Sequence, residues 1–265
     1  MKIAVIGTGN MGSAIVRALC RSAGAENVYI ANRTPKKAAA LAEELGCRAC
    51  ESNAACAADA DFVFLGVKPA GIAQLIAEIA PGLYEESVIV SMAAGVTGEA
   101  MRRALGGRGN PIVRILPNTP CAIGKGLVLI APCAAMAENI LNTLQRLLAP
   151  CGQTGFLTEA QADAGMTVGG CTPAYTYMFI NALAEGAERA GLDRADALQW
   201  AATAVSGAAE LLKQSGKTPE KLCQEVCSPG GSTIEGVNAL READFEGLTA
   251  AAFGKSYEKN CLLGK

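Results

Sequence analysis

The stretch Met1-Lys2-Ile3-Ala4-Val5-Ile6-Gly7-Thr8-Gly9-Asn10-Met11-Gly12-Ser13 decides how the rest of the chain is read. Lys2 to Ile6 is short, β-branched and nearly all apolar, the pattern of a central parallel strand buried on both faces. It stops at Gly7-Thr8-Gly9-Asn10-Met11-Gly12, a complete G-x-G-x-x-G, and an apolar pattern of helical period, Ala14 to Leu19, follows at once. The three glycines then serve a tight turn, close approach of backbone to a pyrophosphate, and close packing of helix on strand. The helix N-terminus adds free N–H groups and the positive end of its dipole. Strand before and helix after turn a weak hexapeptide signal into an expectation of dinucleotide binding through Gly7, Thr8, Gly9, Asn10, Met11 and Gly12.

Working outward, Asn27 to Ala31 reads as a second strand ending at Asn32-Arg33-Thr34, about twenty residues past Gly12. Folds that prefer NAD place an Asp or Glu there for the ribose 2′-hydroxyl. This chain offers Asn32, Arg33, Thr34 and then Lys36-Lys37. A guanidinium forks onto phosphate oxygens, so NADPH is the expected cofactor, with NADH weaker. Helical and strand patterns then alternate: Pro35–Leu45, Arg48–Cys50, Ser52–Ala58, Asp61–Leu65, Ala70–Ala80, Ser87–Met92, Thr97–Leu105 and Pro111–Leu116. Gly126–Ala131, Ala134–Leu148 and Gly152–Leu157 complete the series. Such alternation predicts an α/β fold, an N-terminal Rossmann doubly wound parallel sheet, over residues 1–157. Ligands of these sheets gather beyond the carboxyl ends of the strands, so 7–12, 32–34, 66–69, 92–96 and 117–120 form the expected cofactor wall.

Bulk properties narrow the function classes. The 265 residues are 51% hydrophobic and 18% charged, which suits a compact globular chain rather than a disordered one. A net charge of -2 without a long basic run speaks against nucleic acid or a membrane surface as partner. The chain opens on a strand, leaving no room for a signal peptide, and no apolar run would span a membrane; a cytoplasmic protein is expected. The 11 cysteines are read as small residues in a reducing compartment, with neither a zinc site nor a redox pair signalled. Histidine is absent, which removes the usual acid–base residue and the commonest metal ligand.

From about Glu159 the strand pattern ends and alanine-rich helical stretches take over, over residues 158–265. They run Pro173–Ala190, Arg194–Gln214, Thr218–Val226, Ser232–Arg241 and Phe245–Leu262. So many alanines make a thin core for a free-standing domain, so an all-α dimerisation domain and a homodimer are expected. Glu159 is read as favouring a helix N-terminus, and Asp163 as a surface charge. Cys227-Ser228-Pro229-Gly230-Gly231-Ser232-Thr233 interrupts the helices. Pro-Gly-Gly cannot continue a helix, and Ser232 or Thr233 is expected to cap the next one. The segment reads either as a plain turn or as an anion nest of backbone N–H groups and hydroxyls suited to a carboxylate.

VCSPGGSTIEGVNAL resembles the signature of the Δ1-pyrroline-5-carboxylate reductase family, usually close to SPGGTT-I-x-G. GTGNMGSAI, GVKPA, SMAAGVT and VRILPNTP resemble that family's segments in its order and spacing. The resemblance implies NADPH-dependent reduction of pyrroline-5-carboxylate, the last step of proline biosynthesis, with a helical domain that dimerises and often builds decamers. It implies cofactor contacts at Gly7 to Gly12, Asn32, Arg33, Val67, Lys68, Pro69, Ala93 and Ala94, with Asn53 against the adenine-side ribose. Substrate would rest on Ser228, Pro229, Gly230, Gly231, Ser232 and Thr233, Thr233 being the catalytic position that orients the ring nitrogen. The family usually carries SGSGPAY where this chain has GGCTPAY, Gly169 to Tyr175. Reducing a cyclic iminium needs a hydride donor and a held carboxylate but no protein acid, which suits a chain without histidine. Two rivals stay open. A β-hydroxyacid dehydrogenase would want a lysine early in the helical half, and none stands between Lys125 and Lys213. A non-catalytic NADP(H)-binding sensor would have no use for a carboxylate nest.

Overall fold

The computed structural model describes residues 1–263. Its chain forms two compact units: residues 1–173 with the stretch from Ser256 onward, and Ala174–Lys255. The first is built on strands β1 (Ile3–Ile6), β2 (Val28–Ala31), β3 (Arg48–Ala49), β4 (Phe62–Leu65), β5 (Val88–Ser91), β6 (Ile112–Pro117), β7 (Gly126–Pro132) and β8 (Gly152–Phe156). Its helices are α1 (Asn10–Ala23), α2 (Pro35–Leu45), α3 (Asn53–Ala57), α4 (Ile72–Ile79), α5 (Gly98–Ala104), α6 (Glu138–Leu148) and α7 (Ala162–Met166). The strands form one sheet in the order β3-β2-β1-β4-β5-β6-β7-β8.

Alternation along each strand divides the core into two layers. Ile3 and Val5 of β1, Val28 and Ile30 of β2, and Phe62 and Phe64 of β4 pack beneath α1, α2 and α6. Ala4, Ile6, Val63 and Leu65 point the other way, onto α3, α4 and α5. Both faces of the sheet are therefore dry at β1, β2 and β4, which is why these strands read as unbroken apolar runs.

One strand departs from the expected parallel order: β7 runs antiparallel to β6, with Ile115 opposite Ile130. The connection from Asn118 to Lys125 contains one 3₁₀ stretch, Thr119–Ile123. A parallel crossover needs a dozen residues or more, so a link this short reverses the chain. The sheet is mostly parallel, and β8 returns parallel to β7 through α6.

After β8 the chain stays on the sheet unit. Ala162 joins Leu116 and Ala131 in a small core, and a π-helical turn, Thr167–Cys171, follows α7. The helical unit comprises most of α8 (Thr172–Arg189), then α9 (Arg194–Ser215), α10 (Pro219–Val226), α11 (Ser232–Glu242) and much of α12 (Phe245–Leu262). Its apolar residues between Ala174 and Lys255 are mostly accessible, and only Ala184 and Ala197 among them are buried. Among the described residues no helix is long and apolar enough to cross a membrane.

Candidate functional site

The glycine-rich turn shows a separate reason for each glycine. Gly7 sits at φ +100°, and a Cβ there would come 2.6 Å from the Gly66 carbonyl oxygen. A Cβ on Gly12 would overlap the Gly7 carbonyl, so the helix can start this close to the strand only without a side chain. At Gly9 nothing lies within 4 Å of the added atom, which leaves room for a ligand against the backbone. Helix α1 begins at Asn10, inside the motif rather than after it, with Gly9 as N-cap and no acidic side chain in the first turn. The free N–H groups and positive dipole end of α1 are thus left for an anion.

The strand tips are tied edge to edge. Gly7 N–H donates to the Ala31 carbonyl (2.8 Å), Gly66 N–H to Ile6 (2.8 Å), and Met92 N–H to Leu65 (3.1 Å). That row brings Gly7–Gly12, Asn32, Val67 and Ala93 to one end of the sheet. Asn32 serves the turn itself: its Oδ1 accepts from the Thr8 N–H at 3.4 Å, and its Nδ2 donates to the Thr34 carbonyl. Lys68 is exposed where the β4 end turns into a 3₁₀ stretch begun by Pro69, and Ala94 is half-buried beside buried Ala93.

Two polar groups in this wall lack partners among the described residues. The Thr8 hydroxyl is buried and unbonded, although Thr8 is only 7% exposed. Arg33 is exposed, with no hydrogen bond or ion pair. An orphaned buried hydroxyl beside an open glycine, and a free guanidinium past β2, fit a dinucleotide carrying a 2′-phosphate. Asn53 opens α3, and its amide donates to Glu78 at 3.1 Å; no bond joins it to the glycine turn.

Other residues prove structural. The Asn118 side-chain Oδ1 accepts from Leu127 N–H (2.9 Å), and its Nδ2 donates to the Gly169 carbonyl (3.0 Å), pinning the π turn to the end of β6. Glu159 does meet a helix N-terminus, but a distant one: its Oε1 accepts from Gly98 N–H of α5 at 2.6 Å. Burial and that carboxylate push the neighbouring Cys133 thiol up to about 12. Asp163 is not an ordinary surface charge. It pairs at 3.3 Å with Arg114 of β6, whose side chain is 3% exposed and whose Nε is unpartnered among the described residues. Nothing in local periodicity signals a pair 49 residues apart.

In the helical unit, Ser228–Gly231 forms a turn in which the Gly231 N–H donates to the Ser228 carbonyl at 3.0 Å. Pro229 precedes Gly230 at φ +70°, an arrangement for which proline then glycine is suited. Neither Ser232 nor Thr233 caps α11; the cap is Gly231, with no side-chain bond. Ser232 and Thr233 are the first two helical residues and exposed, and with Ser228 they present three hydroxyls unbonded among the described residues. The turn and the hydroxyls therefore gather at a helix N-terminus suited to an anion.

Comparison with known proteins bears on both units. The family described as pyrroline-5-carboxylate reductase dimerisation matches residues 159–262, and that described as NADP oxidoreductase, coenzyme F420-dependent, matches residues 2–95. The pyrroline-5-carboxylate reductase of Escherichia coli is 36% identical over 266 residues, covering 100% of this chain and 98% of the relative. The chain belongs to the pyrroline-5-carboxylate reductase family. Two solved structures from that family superpose over the whole chain. The enzyme of Coxiella burnetii gives a TM-score of 0.92 at 27% identity, covering 100% of this chain and 98% of the other. The NADP-bound pyrroline carboxylate reductase of Plasmodium falciparum gives 0.89 at 25%, with the same coverage. The pyrroline-5-carboxylate reductase architecture is thus shared from β1 to α12.

Proposed function

We propose that the chain catalyses NADPH-dependent reduction of the C=N bond of L-1-pyrroline-5-carboxylate to L-proline, the last step of proline biosynthesis. The carrying observation is the end-to-end relationship to the E. coli reductase, 36% identical over the full chain. When bound, NADPH supplies the hydride. Gly7, Thr8, Gly9, Asn10, Met11 and Gly12 hold the diphosphate, the Thr8 hydroxyl and the α1 N–H groups donating to it. Arg33 grips the 2′-phosphate, and Val67, Lys68, Pro69, Ala93 and Ala94 line the rest of the wall. Asn53 is assigned to the adenine-side ribose, on family resemblance. The Ser228–Thr233 turn holds the substrate carboxylate at the α11 N-terminus, and the Thr233 hydroxyl orients the ring nitrogen. The proton enters with the iminium, so a chain without histidine can do this chemistry.

On this reading residues 1–157 are the dinucleotide-binding domain and 158–265 the dimerisation and substrate domain. The second family match, beginning at residue 159, supports that division. The exposed apolar helical unit and the same match support a homodimer, which we place in the cytoplasm. A decamer built from such dimers rests on family resemblance alone. The deciding assay follows NADPH absorbance with pyrroline-5-carboxylate as acceptor. Turnover is expected; NADPH binding without turnover would overturn the proposal.

A further inference from the structure

Between β5 and α5 the chain forms a short arch, 92–97, which carries Ala93 and Ala94 of the expected cofactor wall. The strand order β3-β2-β1-β4-β5-β6 puts the glycine turn and the end of β2 in one half of the sheet and this arch in the other. A dinucleotide laid across the crevice between the halves holds its adenine side at the glycine turn and its nicotinamide side at the arch. The near foot of the arch is fixed by the strands: Met92 N–H donates to the Leu65 carbonyl (3.1 Å) and Ala93 N–H to the Ser91 hydroxyl (3.3 Å). The far foot is Gly98, the first residue of α5, buried so tightly that a Cβ there would lie 2.4 Å from the Cys133 Cβ. Thr97 caps α5, but its hydroxyl accepts from Ala100 N–H and leaves the Gly98 N–H over. Glu159 takes that N–H, its Oε1 accepting at 2.6 Å. The turn that carries Glu159 is itself closed by the Thr158–Gln161 capping box and runs into fully buried Ala162, so the carboxylate stands on a fixed base.

We propose that Glu159 is a positioning residue for NADPH: through the Gly98 N–H it fixes the far foot of the arch, and with it the place where Ala93 and Ala94 meet the nicotinamide half of the cofactor. This rests on the NADPH assignment made above and adds to it a residue that acts through the main chain of another. Without the Glu159 oxygen the buried Gly98 N–H has no partner, and the arch regains one only by shifting toward water. The bond asks for an acceptor oxygen at the right reach, which an amide supplies as well as a carboxylate. Reach, rather than charge, is therefore what the position selects.

The adenine half of the cofactor supplies an internal control. Adenosine 2′,5′-bisphosphate carries the adenine, its ribose and the 2′-phosphate but no nicotinamide, so it uses the glycine turn and Arg33 and leaves the arch alone. Calorimetric titration of the full-length protein should give Glu159→Ala an NADPH Kd about tenfold above that of the parent, with the Kd for the bisphosphate unchanged. Glu159→Asp keeps the charge but is one methylene shorter, and should shift the NADPH Kd in the same direction. Glu159→Gln keeps the reach and loses the charge, and should bind NADPH nearly as the parent does. The Asp variant keeps the test decisive if the Ala variant does not fold. An NADPH Kd unmoved in these two variants, or equal shifts for NADPH and the bisphosphate, would overturn the proposal. A parent protein that binds neither molecule would instead remove the NADPH assignment on which it rests.

Discussion

Phe64 in β4 and Trp200 in α9 are both large apolar side chains at periodic positions, yet Phe64 is fully buried and Trp200 is 56% exposed. The same contrast holds across the two units. Strands β1, β2, β4, β5 and β6 put buried side chains on both faces, whereas Met178, Leu211, Val226 and Leu248 of the helical unit stand open. The sheet unit closes its own core. The helical unit has the apolar surface of a domain whose burial is completed by another copy, in keeping with its family match.

The largest expected effect tests this contrast directly. Phe64→Ala should destabilise the protein by about 3–5 kcal/mol in chemical denaturation. Trp200→Ala should leave the fold intact but weaken dimerisation by about 2 kcal/mol, roughly thirtyfold, in sedimentation. A Trp200 variant that dimerises like the parent would break the comparison. Next, Arg114→Met leaves Asp163 unpaired and should cost about 3 kcal/mol, at the low end for a buried pair because Asp163 is 31% exposed. Asp163→Asn in the Arg114→Met background should then add little if the pair is the cause.

Smaller effects sharpen the division of labour. Thr233→Ala should lower kcat/KM roughly ten- to a hundredfold with NADPH affinity unchanged, in steady-state kinetics and fluorescence titration. An unchanged rate would clear Thr233. Arg33→Ala should raise the NADPH KM about tenfold and leave the NADH KM near its starting value. Equal preference in both proteins would remove the 2′-phosphate assignment.

What could be read without coordinates follows the range of the interactions. Gly7, Gly9 and Gly12 act within six residues of one another, and their three roles are visible in the motif. Helix starts at Pro35 and Ser52 carry their own local signals, and both helices are present. The reversal at β7 departs from the parallel expectation, although Asn118–Lys125 is too short for a crossover. Asp163 was not legible, because its partner Arg114 enters from another strand. Nor was the role of Asn118, whose amide reaches a turn that forms only after β8.

The meeting of Gly7 and Gly66 carries a consequence for how this chain can vary. A Cβ at Gly66 would fall 2.5 Å from the Gly7 carbonyl oxygen, so each position is closed by the other's main chain. Shrinking a neighbouring side chain cannot reopen it, and exchanging both residues together makes the crowding worse. The two sites should therefore stay glycine through any drift that spares the nucleotide pocket, with no compensatory route between them.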